Sequence, residues 1–474
     1  MLFNSFEYFL FFPLVFFIYW MFRKLSLQNV FIVAASYFFY ACWDWRFLSL
    51  IFITTLCGWG SGCLMERLEA HKRIRSAVFF SNLLLNLSIL GVFKYFNFFA
   101  QSFSVLLASL GINADYPTIN IVLPVGISFY TFQSIGYSVD IYTRRMLPCQ
   151  SLLVFAAFIC FFPQLVAGPI ESASHLLPQF QRPRQFRYDE AVAGCRMILW
   201  GLFKKMVVAD NCAIIVDTVW NDYTHFSPVM LAVAAVLFAI QIYCDFSGYS
   251  DIAVGSAKLL GIELTQNFRT PYFSTSIPEF WRRWHISLMN WFRTYIYIPL
   301  GGSRHGKYTT IRNVFIVFAV SGLWHGANYT FIVWGLYHAL LSLPYILMGI
   351  KTKRTKESPA VSWRQLPAML LTFLLVTVGW ILFRAPDMQS AVGYISRMVS
   401  TDATFADFTG ITAIAMSMIC LTAEWLQRNR PYMIDLSGCR LLGSPWLRAI
   451  AYYLIILALL ELSAQQESFI YFQF

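Results

Sequence analysis

Charged residues are scarce in this chain. Asp, Glu, Lys and Arg make up 12% of its 474 residues, which is about half the share in a typical soluble domain. Hydrophobic residues make up 58% and aromatic residues 18%. A water-soluble fold of this size could not hide so much apolar surface. The composition therefore excludes an ordinary soluble domain and predicts a polytopic membrane protein.

Paired cysteine motifs are also missing. None of the ten cysteines lies in a CxxC motif, and most lie within apolar runs, for example Cys42, Cys160 and Cys244. Isolated cysteines in apolar segments are typical of small buried hydrophobic residues. We therefore expect no disulfide framework, no structural zinc and no metal site.

Acidic residues are fewer than basic ones: the chain has 24 Asp and Glu and 35 Lys and Arg, which gives a net charge of +11. The basic residues concentrate in short connections between apolar runs, such as 71–75, 142–145 and 351–356. This pattern is typical of cytoplasmic loops that contact anionic lipid headgroups. Nothing in the sequence resembles a nucleic-acid module, so we expect membrane lipids and no nucleic acid as partners.

The first apolar run, residues 2–22, lacks the features of a cleavable signal peptide. Its nearest positive charges, Arg23 and Lys24, follow it, and it has no small-residue cleavage site. It predicts a retained first span with the amino terminus outside.

Apolar runs recur along the whole chain and predict an all-α protein with about ten to twelve transmembrane helices, each needing about 20 residues. Basic and uncharged loops alternate regularly up to residue 145, and the alternation fails between residues 150 and 312. Segments that enter the membrane without crossing it would explain this failure if they surround a cavity open to the cytoplasm. We expect one domain over 1–474, with N-terminal spans in 1–150, a funnel and catalytic core in 150–350, and C-terminal spans in 351–474.

The stretch SGLWHGAN (321–328) places His325 inside an apolar region, flanked by Gly322 and Gly326. Small residues allow helices to approach closely in a membrane, and an ionisable side chain at that depth faces a bundle interior or a wet cavity. Imidazole is well suited to proton transfer near neutral pH. His325 is either a structural histidine or a proton acceptor, and His338 is expected to serve packing or support.

A second stretch, residues 274–302, intersperses Arg282, Arg283 and His285 with several tryptophans, and prolines bracket it. Trp and Arg are common in interfacial anchor helices. The alternative is a short helix at a cavity mouth, where guanidinium groups could hold a phosphate.

Three further stretches carry polar groups within apolar runs. In residues 241–255, Asp245 and Asp251 could accept protons, bind a cation or form structural ion pairs. Residues 123–142 and 161–171 contain Pro and Gly within apolar runs, which predicts bent or broken helices that line the same cavity. Gln133 and Gln164 would then face the cavity or bridge helices.

Together these stretches resemble the membrane-bound O-acyltransferase family, and within it the branch that acetylates bacterial polysaccharides such as alginate. The resemblance covers most of the chain, and the motifs occur in the family's order: LPVGISFYTFQSIGY, FFPQLVAGPI, CDFSGYSDIA, FWRRWHISL, YIPLGG and SGLWHGA. Two positions depart from the pattern. Thr294 stands where many relatives carry Asp, and GGSR (301–304) replaces GGNR, so no role is assigned to an acid at position 294.

By this resemblance, His325 matches the catalytic histidine and His285 the second signature position. The implied fold is a ring of helices around a central pore with a cytoplasmic funnel. The implied donor is a cytoplasmic acetyl thioester, acetyl-CoA, and no permanently bound cofactor is expected. The acetyl group would pass to an extracytoplasmic acetyltransferase partner protein or directly to the acceptor, and end on a polysaccharide hydroxyl. The implied location is the bacterial inner membrane.

The chemistry expected from this resemblance is transfer from an activated thioester. Neutral His325 would take the proton of the attacking hydroxyl, which is general-base catalysis, and His285 would bind the carbonyl oxygen or support the base. A covalent acetyl-histidine relay is a less favoured variant.

Asn328 would orient His325 if the stretch is helical. The other residues expected to contact substrate are Trp284, Arg282, Arg283, Asp245 and Gln133. The donor phosphates would contact Arg282 and Arg283 first, then Lys204, Lys205, Arg304 and Lys307.

Two alternatives stay open. The same fold could transfer D-alanine from a carrier protein to teichoic acid. A transporter or channel would also place ionisable residues such as Lys94, Asp245, Asp251 and His325 near broken helices. The sequence shows no paired halves and no ladder of polar residues along one helix face, which argues against a transporter.

Overall fold

The computed structural model describes residues 1–112, 123–166, 168–350, 363–400, 410–428, 444–464 and 469–470. Within these ranges the chain is helical and contains no strand. The predicted all-α architecture is therefore confirmed. The basic segment 351–356 lies outside the described residues.

The described chain divides into two compact units. The first comprises Met1–Phe186 with Leu260–Leu264 and Gly326–Asn328, and the second comprises Arg187–Leu259, Thr265–His325 and Tyr329–Phe474. The single-domain organisation expected from the sequence stays a prediction.

The first unit contains nine α-helices in the residues that the structure describes. They are α1 (Phe6–Met21), α2 (Leu25–Asp44), α3 (Leu48–Arg67), α4 (Lys72–Leu90), α5 (Phe96–Ser109), α6 (Ile127–Tyr142), α7 (Leu152–Cys160), α8 (Phe162–Leu165) and α9 (Ala173–Gln181). Helix α6 begins after Gly126, whose φ of +73° favours glycine. Helices α7 and α8 have nine and four residues, too few to span a bilayer. The prolines and glycines of 161–171 thus coincide with short, interrupted helices, whereas in 123–142 helix α6 continues through Gly136 without a break.

The second unit contains eleven α-helices in its described part. They are α10 (Tyr188–Leu202), α11 (Asp210–Asn221), α12 (Pro228–Leu259), α13 (Ile277–Arg283), α14 (Ile286–Phe292), α15 (Gly306–His325), α16 (Tyr329–Leu347), α17 (Leu366–Arg384), α18 (Met388–Met398), α19 (Ile411–Gln427) and α20 (Pro445–Glu461). Helix α12 is buried along most of its 32 residues, which makes it the core of this unit.

Five described helical segments are long and apolar enough to cross a membrane: Leu25–Arg67, Lys72–Ser109, Pro228–Leu259, Tyr329–Leu347 and Leu366–Arg384. Two shorter apolar helices, Phe6–Met21 and Ile411–Gln427, accompany them. Helices α5 and α20 are apolar but have no buried residue, and such surfaces are unfavourable in water. These findings support a multi-pass membrane protein, whereas the count of ten to twelve spans stays a prediction.

The cysteines show why burial could not be inferred from apolar neighbours alone. Cys160 and Cys244 are buried as predicted, but Cys42 is exposed on α2. In a membrane-spanning helix the lipid-facing side is as apolar as the packed side. An apolar run therefore does not distinguish a buried position from a lipid-facing one.

Candidate active site

His325 is the last residue of α15, and its side chain is buried. Three aromatic rings surround the imidazole, with centroid distances of 4.8 Å to Trp324, 5.1 Å to Trp334 and 5.3 Å to Phe383. All three meet the imidazole edge-on, a favourable arrangement of aromatic rings. The residue is 5% exposed, whereas His338 is 0% exposed. His325 is therefore the less enclosed of these two buried histidines.

A close crossing of α15 and α16 places His325 among these rings. A Cβ on Gly322 would lie 2.2 Å from the Phe331 carbonyl oxygen, and one on Gly335 would lie 2.1 Å from the Phe318 carbonyl oxygen. Neither space admits a side chain larger than hydrogen. Gly322, one of the small residues noted in the sequence near His325, thus allows two helix backbones to approach closely, as is typical of membrane helices.

His285 lies at the junction of two short helices, α13 and α14. Its backbone is left-handed, with φ +45° and ψ +52°, a conformation that costs energy for a residue other than glycine. The side chain is 1% exposed and packs edge-on against Phe246, with ring centroids 4.7 Å apart. Burial lowers the pKa of His285 to about 3, so its ring is neutral at physiological pH.

Trp324 contacts both histidines. Its ring centroid lies 4.8 Å from that of His325 and 5.9 Å from that of His285. The two histidines singled out from separate motifs, 40 positions apart in the chain, are thus brought against one indole. The sequence identified the histidines but gave no indication that Trp324 would lie beside both.

A second indole continues this arrangement. Trp334 lies 5.1 Å from His325 and 5.2 Å from His338, and His338 lies 4.9 Å from Trp281. Histidines and tryptophans therefore alternate in one row, in the order His285, Trp324, His325, Trp334, His338 and Trp281. We refer to these six residues as the His–Trp row.

His338 has the surroundings of a packing residue. It is 0% exposed, and neither ring nitrogen has a hydrogen-bond partner among the described residues. Its ring meets Trp281 at an interplanar angle of 89° and Trp334 at 72°. This environment is consistent with the packing or supporting role expected for His338.

The carboxylates of α12 form buried ion pairs with two consecutive lysines. Lys204 Nζ lies 2.8 Å from Asp251 Oδ2, and Lys205 Nζ lies 2.8 Å from Asp245 Oδ1 and 2.7 Å from Asp210 Oδ1. Lys204 also donates to Ser247 Oγ over 2.8 Å. The structural ion pair proposed among the alternatives for the aspartates is therefore present.

These pairs bear on the expected role of the two lysines. Lys204 and Lys205 are 2% and 1% exposed, and their charges are compensated by carboxylates. Each ammonium group thus contacts internal carboxylates, and a contact of either lysine with a donor phosphate stays a prediction. Asp245 also accepts a hydrogen bond from the Ile470 backbone N–H over 2.7 Å, so its carboxylate serves the internal packing of this unit in the structure.

Sequence reasoning missed the feature that makes these pairs possible. Glycines seven residues apart on α10 face glycines seven residues apart on α12, Gly194 against Gly255 and Gly201 against Gly248. A Cβ at any of the four positions would lie between 2.5 and 2.7 Å from the carbonyl oxygen of the opposing glycine. A search for small residues at two-turn spacing in both segments would have found this contact.

The arginines of the second stretch have separate environments. Arg283 pairs with Glu279, 2.6 Å between Nη2 and Oε1. Arg282 lines a cavity of about 970 Å³ together with Arg293 and Lys307. Arg304 is exposed in the loop before α15. Trp284 is 2% exposed and lies 4.9 Å from Trp380, which places it in the packed core.

Two further candidate residues belong to the other compact unit. Gln133 is buried in α6, and Asn328 follows the end of α15. Because the helix stops at His325, the one-turn helical spacing expected between His325 and Asn328 does not occur. The role expected for Asn328 in orienting His325, which was stated for a helical stretch, stays a prediction.

Apolar spanning helices, a buried histidine at a helix end and a second buried histidine beside the same indole define an integral membrane protein with a candidate proton-transfer site. Residues 149–384 match the model of the membrane-bound O-acyltransferase family. The chain is 35% identical to the probable alginate O-acetylase of Pseudomonas putida, over 98% of both chains. It is also 33% identical to the peptidoglycan O-acetyltransferase of Helicobacter pylori, over 78% of this chain and 73% of the relative.

A more distant similarity links the chain to the teichoic acid D-alanyltransferase of Bacillus subtilis, 29% identical over 56% of this chain and 70% of the relative. The chain belongs to the membrane-bound O-acyltransferase family. It is therefore an O-acyltransferase, and the resemblance inferred from the motifs is confirmed.

Proposed function

We propose that this O-acyltransferase takes an acetyl group from a cytoplasmic thioester, acetyl-CoA, and transfers it for O-acetylation of a cell-surface polysaccharide such as alginate. The similarity to a probable alginate O-acetylase over 98% of both chains carries this proposal. The similarity to a peptidoglycan O-acetyltransferase supports acetyl as the group and a polysaccharide as the class of acceptor. The membrane would be the bacterial inner membrane.

In the proposed reaction, His325 acts as the general base. The acceptor oxygen attacks the thioester carbonyl carbon while His325 takes the hydroxyl proton. The attack forms the C–O bond of the ester and gives a tetrahedral intermediate; its collapse restores the C=O bond and breaks the C–S bond, and the proton passes from His325 to the departing sulfur. A positioned general base contributes roughly 100- to 10,000-fold to rate. The enclosure of His325 by aromatic rings supports this role because a ring held on three sides has a fixed orientation.

His285 would stabilise the oxyanion of the intermediate. A neutral imidazole has one N–H that can donate a hydrogen bond, and the lowered pKa of His285 keeps the ring in that form. Loss of one donor of this kind typically costs roughly 100- to 1,000-fold in rate. The shared contact with Trp324 supports a joint role for the two histidines.

The acetyl group would leave the enzyme on the outer side of the membrane. The acceptor is either the polysaccharide hydroxyl or the nucleophile of an extracytoplasmic acetyltransferase partner, and the base chemistry is the same for both when the nucleophile is a hydroxyl.

Among the cations assigned to the donor phosphates, Arg304 stays our candidate because it is exposed and has no carboxylate partner among the described residues. Lys204, Lys205 and Arg283 are already paired.

The proposal is tested with wild-type and His325→Ala protein in a strain that lacks the chromosomal copy of the gene. We expect His325→Ala to reach the membrane in normal amount and to leave the polysaccharide without O-acetyl groups, measured by NMR of the purified polymer. His338→Phe is the matched control, since it replaces another buried histidine of the same row. Wild-type acetylation in the His325→Ala strain would refute the catalytic assignment.

A second candidate is D-alanyl transfer to teichoic acid, which the similarity to the Bacillus subtilis enzyme favours. Incubation of membranes with labelled acetyl-CoA or with a D-alanyl carrier protein distinguishes the two donors. Membership of an O-acyltransferase family argues against the transporter or channel alternative. The ion pairs of Asp245 and Asp251 account for two of the charges that suggested it.

A further inference from the structure

A cavity of about 970 Å³ lies among α13, α14, α15 and α16, within the second compact unit. Its volume is at the upper end of the range of small-molecule sites, roughly 300–1,000 Å³. None of the six members of the His–Trp row except Trp281 lines it. The cavity therefore calls for an explanation separate from the candidate active site.

The lining has the chemistry of an amphiphile site. Along α15 and α16 the wall is formed by apolar side chains, among them Val314, Phe318 and Ile346, and three cationic side chains, Arg282, Arg293 and Lys307, also line it. Arg293 has no carboxylate partner among the described residues. Cationic groups beside a long apolar wall complement a phosphate joined to an acyl chain.

The membrane level of the cationic groups can be inferred from α16. Lys307 Nζ donates to the carbonyl oxygen of Leu347, the last residue of α16, over 2.7 Å. In the sequence, residues 351–356 follow this helix end and read KTKRTK. Clusters of this kind mark the cytoplasmic surface and attract anionic lipid headgroups. The cation at Lys307 therefore lies at headgroup level on the cytoplasmic side, and the apolar wall extends from it along α15 into the bilayer.

Closed packing separates the cavity from His325. Trp281 and Phe318 line its wall, and both contact His338, with centroid distances of 4.9 and 6.3 Å. Trp334 then lies between His338 and His325. Along α15, the seven residues from Phe318 to His325 correspond to roughly 10 Å of helix rise. A ligand in the cavity would contact Trp281 without touching the catalytic histidine.

We propose that this cavity binds one anionic phospholipid of the membrane. Its phosphate lies among Arg282, Arg293 and Lys307, and one acyl chain lies along the apolar wall of α15 and α16. The chain supports Trp281, and through Trp281 it supports the end of the His–Trp row. Binding of the lipid is independent of the proposed acetyl transfer, and only the consequence for activity rests on it.

The binding experiment uses full-length protein purified in detergent and stripped of bound lipid. Dioleoylphosphatidylglycerol or dioleoylphosphatidylcholine is titrated in, and bound lipid is counted by native mass spectrometry. We expect one phosphatidylglycerol per chain, bound more tightly than phosphatidylcholine. Arg293→Gln should weaken phosphatidylglycerol binding about tenfold or more, as expected for loss of one charge-assisted hydrogen bond. Arg269→Gln is the matched control, because Arg269 is an exposed arginine of the same unit that does not line the cavity.

A second variant removes the space instead of the charge. Thr310 lines the cavity and is half-buried, so Thr310→Trp should prevent binding of both lipids while leaving the three cations in place. His325→Ala should bind phosphatidylglycerol like the wild type, which separates this inference from the proposed function. Wild-type lipid binding by both Arg293→Gln and Thr310→Trp would overturn the proposal. Competitive displacement of the lipid by acetyl-CoA would also overturn it, by making the cavity a donor site.

Discussion

The indole of Trp334 packs edge-on against the imidazole of His325, with ring centroids 5.1 Å apart and planes at 87°. Trp334 is 0% exposed and also contacts His338. It therefore forms one wall of the candidate catalytic residue. Trp334→Ala should cost about 3–5 kcal/mol of stability, as large-to-small core substitutions do. It should also reduce acetyl transfer, because His325 would lose a fixed orientation.

The comparison with Trp334→Phe separates stability from orientation. Phenylalanine keeps an aromatic edge beside His325 and leaves a smaller cavity, so we expect most of the activity and a smaller loss of stability. Both variants are measured by unfolding in mixed micelles and by acetyl transfer per folded molecule. Full specific activity of folded Trp334→Ala would contradict the orienting role.

His338 is buried like His325, but we expect it to have no part in the reaction. Its described contacts are aromatic, and its ring nitrogens have no hydrogen-bond partner among the described residues. His338→Phe should therefore retain acetyl transfer, with a loss of stability of about 1–3 kcal/mol, because phenylalanine is larger than histidine and overpacks a fully buried site. The assay is specific activity over a range of acetyl-CoA concentrations. A drop in kcat of the size expected for His325→Ala would show that His338 takes part in proton transfer.

The crossing of α15 and α16 leads to a prediction about a glycine. A Cβ at position 322 would lie 2.2 Å from a backbone carbonyl oxygen of α16, and backbone cannot yield as a flexible side chain can. Gly322→Ala should destabilise the protein by about 1–3 kcal/mol, the usual range for overpacking, and should displace His325 three residues later. Gly60→Ala in α3 is the control, because a Cβ there meets nothing within 4 Å. Equal stability and activity of the two variants would show that the crossing is looser than the structure indicates.

Much of the architecture could be predicted because membrane helices are long apolar runs, and α12 and α17 follow directly from their composition. His325 could be selected because ionisable groups at membrane depth are rare, and His285 because FWRRWHISL resembles a motif of the family. Their shared contact with Trp324 could not, because it depends on how α13, α14 and α15 pack. Propensity and periodicity describe one segment at a time, and contacts between segments distant in sequence are set by tertiary packing.

Lys204 and Lys205 illustrate a related limit. GLFKKM (201–206) has the appearance of a basic loop, and basic loops favour phosphate contacts. The structure instead places Lys204 and Lys205 beside carboxylates of α12, where burial is compensated by the opposite charge. A charged pair in an apolar context is ambiguous in a single sequence, because the partner that compensates it lies elsewhere in the chain.

The Lys204–Asp251 pair provides a quantitative test of this placement. Lys204→Met leaves the Asp251 carboxylate without its ammonium partner, and removal of one partner of a buried pair typically costs about 3–5 kcal/mol. Asp251→Asn should cost at least as much, because the charge it leaves without a partner is that of Lys204, whose side chain is 3% exposed, whereas the Asp251 side chain is 18% exposed. The double variant should recover part of the loss, with a coupling energy of about 0.5–3 kcal/mol in unfolding experiments.

The same variants distinguish an internal ion pair from a donor phosphate contact. If Lys204 serves only the pair, folded Lys204→Met should keep its KM for acetyl-CoA, and the double variant should resemble it. If Lys204 binds a donor phosphate, KM should rise in Lys204→Met, and the change at Asp251 should not restore it. An elevated KM for acetyl-CoA in both Lys204→Met and the double variant would therefore assign Lys204 to the donor site. A loss of stability of the ion pair alone cannot produce that pattern.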